Sequence, residues 1–82
     1  MKIKPLRKDL RGVLEKRNLE KKFAKQKRFF EQNPYHPSLH AEKLEPKHLG
    51  IYSFRIDCRW RAIFLVTKDN EAEIVDINPH YR

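Results

Sequence analysis

Eighty-two residues are enough for one domain with one small core and too few for two. Nineteen Lys and Arg against eleven Asp and Glu leave a net charge of +8, a field that attracts polyanions such as nucleic acid, the ribosome or an acidic protein. The lone cysteine, Cys58, excludes an intramolecular disulfide and a cysteine-rich zinc site, and suits a reducing cytosol.

The first residues, Met1 to Pro5, lack the apolar run of a signal peptide. No stretch reaches the roughly 20 apolar residues of a membrane span. The expectation is a soluble, cytoplasmic, single domain over residues 1–82 with no membrane partner. Lys2-Ile3-Lys4 is readable as a short first strand stopped at Pro5. Leu6, Leu10, Val13 and Leu14 then recur at helical spacing among Arg and Lys, one stripe of an amphipathic helix that Gly12 weakens. Asn18 either caps a second helix or marks a bend. Leu19, Phe23 and Phe30 line one face of that second helix, with Ala24 and Phe29 at its edges, and Asn33-Pro34 ends it. The two helices form a hairpin with one apolar seam. Residues 1–33 hold twelve Lys or Arg and four Asp or Glu, the whole net charge of the chain, while residues 34–82 hold seven of each sign.

Pro34, Pro37, Pro46 and Gly50 make residues 34–50 an ordered loop, in which Leu39 to Leu44 is either a turn or a short strand. From Ile51 the period becomes two. Tyr52, Phe54 and Ile56 alternate with Ser53, Arg55 and Asp57, and after a turn at Asp57-Cys58, Trp60, Ala62, Phe64 and Val66 alternate with Arg59, Arg61, Ile63 and Leu65. A turn at Lys68 to Glu71 leads to a last strand in which Val75 and Ile77 alternate with Ile74, Asp76 and Asn78. This is an antiparallel meander. The face bearing Tyr52, Phe54, Ile56, Trp60, Ala62, Phe64, Val66, Val75 and Ile77 is expected to pack on the helices. The face bearing Ser53, Arg55, Arg61, Ile63, Leu65, Asp76 and Asn78 is either open or covered by a partner.

Arg55 and Arg61 share that second face, and His80-Tyr81-Arg82 follow the last strand. Arginine matches phosphate with two parallel hydrogen bonds. Cleavage of RNA through its own 2′-hydroxyl needs a base, charge stabilisation at phosphorus and an acid for the leaving oxygen, and no metal. These side chains can supply all three. The competing expectation is that the two arginines merely pair with Asp57 and Asp76. His36 and His40 have a spacing that two zinc ligands could use, but no third ligand is evident, so no metal is expected. Trp60 belongs by parity to the core, and Cys58 to a turn.

The helix hairpin followed by Lys43-Leu44, Gly50-Ile51-Tyr52-Ser53-Phe54-Arg55-Ile56, Arg59-Trp60-Arg61-Ala62-Ile63-Phe64 and Ile74-Val75-Asp76-Ile77-Asn78-Pro79-His80-Tyr81 resembles the RelE/ParE superfamily of toxins from type II toxin–antitoxin systems. The motifs that carry the resemblance cover residues 39–81; over the helices only order and pattern agree. It implies an α+β fold, an N-terminal helix hairpin packed on an antiparallel β-meander of three to four strands. It also implies, for the ribonuclease branch, cleavage of mRNA at the ribosome on the concave sheet face, without a cofactor. Arg55 and Arg61 match positions that stabilise the scissile phosphate. His80 matches a terminal catalytic residue, and Tyr81 an auxiliary acid or stacking group. Lys43 matches a basic position before the first meander strand. Lys21, Lys22, Lys25 and Arg28 of the second helix would dock on ribosomal RNA. The implied partners are a cognate antitoxin, mRNA and the ribosome, with the free toxin a monomer. Ser53 departs from ribonuclease members that are basic there, and the chain ends without the C-terminal helix or tail of several members. The same fold also carries gyrase inhibitors without nuclease chemistry and inactive RNA- or ribosome-binding relatives.

Overall fold

Leu10 and Leu14 give the first helix, α1 (Lys8–Lys16), its buried stripe. Its end is set by Asn18, which takes the left-handed conformation at φ 56°. The Leu19 N–H then reaches back to the Leu14 carbonyl at 2.8 Å, and the Asn18 N–H to Glu15 at 3.2 Å. This pair of bonds satisfies the last carbonyls of a helix. Asn18 therefore marks a bend and does not cap α2 (Glu20–Gln32), which starts after Leu19. Leu19, Phe23 and Phe30 of this second segment are buried as expected, joined by Gln26, which the apolar pattern could not reveal. The computed structural model describes residues 1–79.

Four strands, β1 (Glu42–Lys43), β2 (Ile51–Arg55), β3 (Trp60–Val66) and β4 (Ala72–Pro79), form one antiparallel sheet in sequential order. With both helices it makes the expected α+β architecture. Lys2 to Lys4 is not a strand: only Ile3 pairs, as a single parallel bridge to Ala72 on the outer edge of β4. The N-terminus is fixed instead by the Ile3 N–H, which donates to Glu31 of α2 at 2.9 Å. Between β1 and β2, Gly50 lies at φ 66°, a conformation that favours glycine.

One face of the sheet carries Phe54, Ala62, Phe64, Ile74 and Ile77 into a single core with Leu10, Leu14, Leu19, Phe23, Phe30 and Leu39. Phe30 sits at its centre, with ring centroids 5.3 Å from Phe54 and 5.2 Å from Phe64. Tyr52 and Trp60 are half-buried against this cluster, so Trp60 packs on the core as its parity implied. Two positions of the expected core face differ. Val66 is exposed at the end of β3. Val75 is displaced by a β-bulge: Ile63 faces Asp76 but Phe64 faces Ile74, leaving Val75 unpaired. The extra residue breaks strict alternation, so Ile74 and Ile77 both point inward. The freed Val75 carbonyl accepts from the Arg7 guanidinium at 3.2 Å.

Asp57 shapes the β2–β3 turn, where Cys58 is exposed. Its Oδ1 accepts from the Arg59 and Trp60 N–H groups at 2.8 Å each, and its Oδ2 pairs with Lys22 of α2 at 3.3 Å. Burial pushes the carboxyl up, but the two backbone donors and Lys22 outweigh it, so it lies below its ordinary value of 3.8. A depressed folded-state value contributes stability that is full above the unfolded value and lost as pH falls through the folded one.

Two tests follow from this packing. Phe54→Ala empties the space against which the rings of Phe23, Phe30 and Phe64 pack, and should cost about 3–5 kcal/mol in urea denaturation; a loss under about 1 kcal/mol would mean that the cluster closes over the gap. For Asp57, the denaturation midpoint of the wild type should fall more steeply than that of Asp57→Asn as pH drops below about 4. Parallel curves for the two proteins would show that the carboxylate contributes nothing there.

Candidate functional site

The strand register assembles the site. Arg55 on β2 lies directly opposite Arg61 on β3, and Arg61 directly opposite Asn78 on β4. Directly paired residues of antiparallel strands share a face. Two residues along, Glu42, Ser53, Ile63 and Asp76 form a parallel rung through all four strands. Both rungs face away from the aromatic core. Glu42, Leu44, Ser53, Arg61, Ile63, Asn78 and Pro79 line a cleft of about 300 Å³ on that side.

This face is not simply open. Arg61 is 5% exposed and Ser53 1%. The cover comes from the segment before β1, whose His40 turns left-handed at φ 44° and presents its carbonyl to Arg61. The Arg61 Nη2 donates to that carbonyl at 2.7 Å and its Nε donates to the Ser53 hydroxyl at 3.0 Å. Glu42 Oε2 stands 3.7 Å from Nη2, with its own side chain 56% exposed. No buried side-chain nitrogen or oxygen among the described residues lacks a partner. Among the described residues, Nη1 makes no hydrogen bond.

Burial pulls the Arg61 guanidinium down from its ordinary value; Glu42 opposes the fall and Arg55 adds to it. Arginine stays protonated under such a load. The result is a buried cation beside a second cation, with one distant, half-solvated carboxylate as its only acidic neighbour among the described residues. An arrangement of this kind is short of negative charge. The expected pairing of the arginines with Asp57 and Asp76 is not seen: Asp57 is held in the β2–β3 turn, and Asp76 accepts from the Ile77 N–H and from Asn78.

The remaining predicted residues divide. Lys43 is opposite Tyr52 and lies over its ring at 5.6 Å, on the other face of the sheet from Arg55 and Arg61. The side chain that β1 brings to this face is its neighbour Glu42, which the sequence does not reveal because two residues are too few to show alternation. His80 and Tyr81 lie outside the described residues; they follow Pro79, which lines the cleft. Lys21, Lys22, Lys25 and Arg28 are all exposed on α2. Lys22 and Lys25 line a second cleft of about 300 Å³ with Gln26, Ser38, Arg55, Ile56 and Asp57. His36 does not face His40 as a ligand pair: its ring stacks on Phe29 at 4.0 Å and its Nδ1 accepts from the Ser38 N–H at 3.1 Å. Among the described residues no group of three His, Cys, Asp or Glu is placed to hold a metal ion, and no helix is long and apolar enough to cross a membrane.

No protein-family model matches the chain. No curated protein matches it either. Among solved structures it is similar to a YoeB/ParE toxin from Agrobacterium tumefaciens, with a TM-score of 0.71 at 19% sequence identity, over 99% of this chain and 100% of the other. At that identity the likeness speaks for the backbone, and it extends over the helices, where sequence motifs are weak. Two helices followed by a four-stranded antiparallel sheet, matched from end to end, give this chain the RelE/ParE-like toxin fold.

Proposed function

We propose that the chain is the toxin of a toxin–antitoxin pair and acts as a metal-independent endoribonuclease on mRNA, at the ribosome, in the cytoplasm. The observation that carries this reading is the in-register pair of Arg55 and Arg61, with Arg61 beside the Glu42 carboxylate in a cleft on the sheet. The full-length likeness in fold to a YoeB/ParE toxin supports the toxin assignment. The surplus of cations on the helices supports a ribosomal docking surface, with Lys21 and Arg28 on its outer side.

Each requirement of 2′-hydroxyl attack then has a candidate. Glu42, half-exposed at the cleft, takes the proton from the 2′-hydroxyl. The 2′-oxygen attacks phosphorus and the bond to the 5′-oxygen breaks, leaving a 2′,3′-cyclic phosphate and a 5′-hydroxyl. Arg61 and Arg55 stabilise the charge that gathers on the phosphoryl oxygens. His80 or Tyr81, next along the chain from Pro79, gives a proton to the leaving oxygen. A cognate antitoxin that covers this cleft would silence the protein, which is otherwise proposed to be monomeric.

Glu42→Gln keeps the size of the side chain and removes the base, and should slow cleavage of an RNA substrate by about 10²–10⁴-fold. Arg61→Ala should abolish growth arrest, with the loss of one such contact corresponding to about 3 kcal/mol of transition-state stabilisation. Primer extension on transcripts after induction, with circular dichroism as the check on folding, reads both. A fully toxic Arg61→Ala protein, or arrest with intact transcripts and a DNA-damage response, would overturn the nuclease reading.

A further inference from the structure

We infer that the second cleft, between α2 and the end of β2, is a phosphate subsite that holds the RNA backbone next to the scissile position. This rests on the nuclease reading for its substrate, and on the cleft itself for its location.

Three cations line it, Lys22, Lys25 and Arg55, with Asp57 as the only acid. Asp57 is already engaged: two backbone N–H groups hold one of its oxygens and Lys22 the other. Lys25 and Arg55 have no acidic partner among the described residues. The floor is rigid before any ligand arrives. Gln26, 6% exposed, donates both amide hydrogens across the cleft, to the Ser38 carbonyl at 3.0 Å and the Arg55 carbonyl at 2.8 Å. One side chain thus locks α2 to the loop and to the free edge of β2. The volume, about 300 Å³, is at the small end of ligand-sized pockets.

The kind of ligand follows from the neighbourhood. Arg55 borders this cleft and also stands opposite Arg61, so the two cationic sites are joined through it. Sites in series match a chain with a negative charge on every backbone unit, which is a nucleic-acid strand. The cleft has no exposed aromatic or aliphatic anchor among its described residues, whereas protein partners dock on such anchors. Ile56 is buried in its wall.

The test is fluorescence anisotropy with an eight-nucleotide RNA, 2′-O-methylated throughout so that it cannot be cleaved, titrated across a salt series. Lys25→Ala should weaken binding several-fold and reduce the slope of log K against log salt by about 0.7, the share of one phosphate contact on a single strand. Lys16→Ala, on α1 and away from both clefts, should leave the slope unchanged. Asp57→Asn keeps the turn acceptor, removes the opposing charge and should tighten binding. Equal salt slopes for Lys25→Ala and wild type, or displacement of the RNA by octaglutamate as effectively as by unlabelled RNA, would overturn the subsite. If the wild type cleaves no RNA yet binding depends on Lys25 as stated, the nuclease reading fails and the subsite stands.

Discussion

A charged guanidinium removed from water has to be held by acceptors, and at Arg61 those acceptors come from the neighbouring strand and from the segment that leads into β1. Ser53 supplies a hydroxyl from the neighbouring strand, His40 a carbonyl from the loop, and Glu42 a carboxylate from the two-residue strand β1. Two of the three are neutral, and the carboxylate is distant. The cation is therefore oriented without being neutralised, and Arg55 across the register adds to the imbalance. Ser53 gains a meaning here. In comparison with ribonucleases that are basic at this position it looks like a lost charge; in the folded protein it is the oxygen that directs Arg61.

That arrangement depends on the opposite side of the sheet. A domain of this size has little apolar area to bury, and much of it is aromatic. Phe23, Phe30, Phe54 and Phe64 interlock with Tyr52 over centroid distances from 5.2 to 6.1 Å. The same core anchors the loop, since Leu39 is fully buried in it and the helical turn Pro37–Leu39 is capped by His36. With Leu39 fixed, the next residue turns left-handed and delivers its carbonyl to Arg61. Gln26 performs a similar task at the other end of β2, closing an edge that β1 is too short to cover. Core packing, loop conformation and the polar face thus form one connected structure.

The charge distribution fits the same geometry. The helices carry the net positive charge, and the α2 cations Lys22 and Lys25 converge on the cleft that Arg55 borders. Arg55 in turn stands opposite Arg61 in the sheet, so helix and strand cations that the sequence shows in separate halves of the chain are neighbours in the fold.

The amino-acid sequence by itself determined the two helices, the three long strands, the core face over most of its length and the shared side of Arg55 and Arg61. These follow from periods of 3.6 and 2 and from turn residues, which are local. It also carried enough of the RelE/ParE strand pattern to indicate the fold. Four things were left to tertiary structure: the bulge that turns Ile74 inward in place of Val75, the pairing of β1 that selects Glu42 over Lys43, the burial of Arg61 under His40, and the bridging role of Gln26. Each is a contact between residues distant in the chain, set by register or by a side chain finding a backbone partner elsewhere. Local periodicity has no access to such partners, because the energy that fixes them exists only once the sheet and the helices have met.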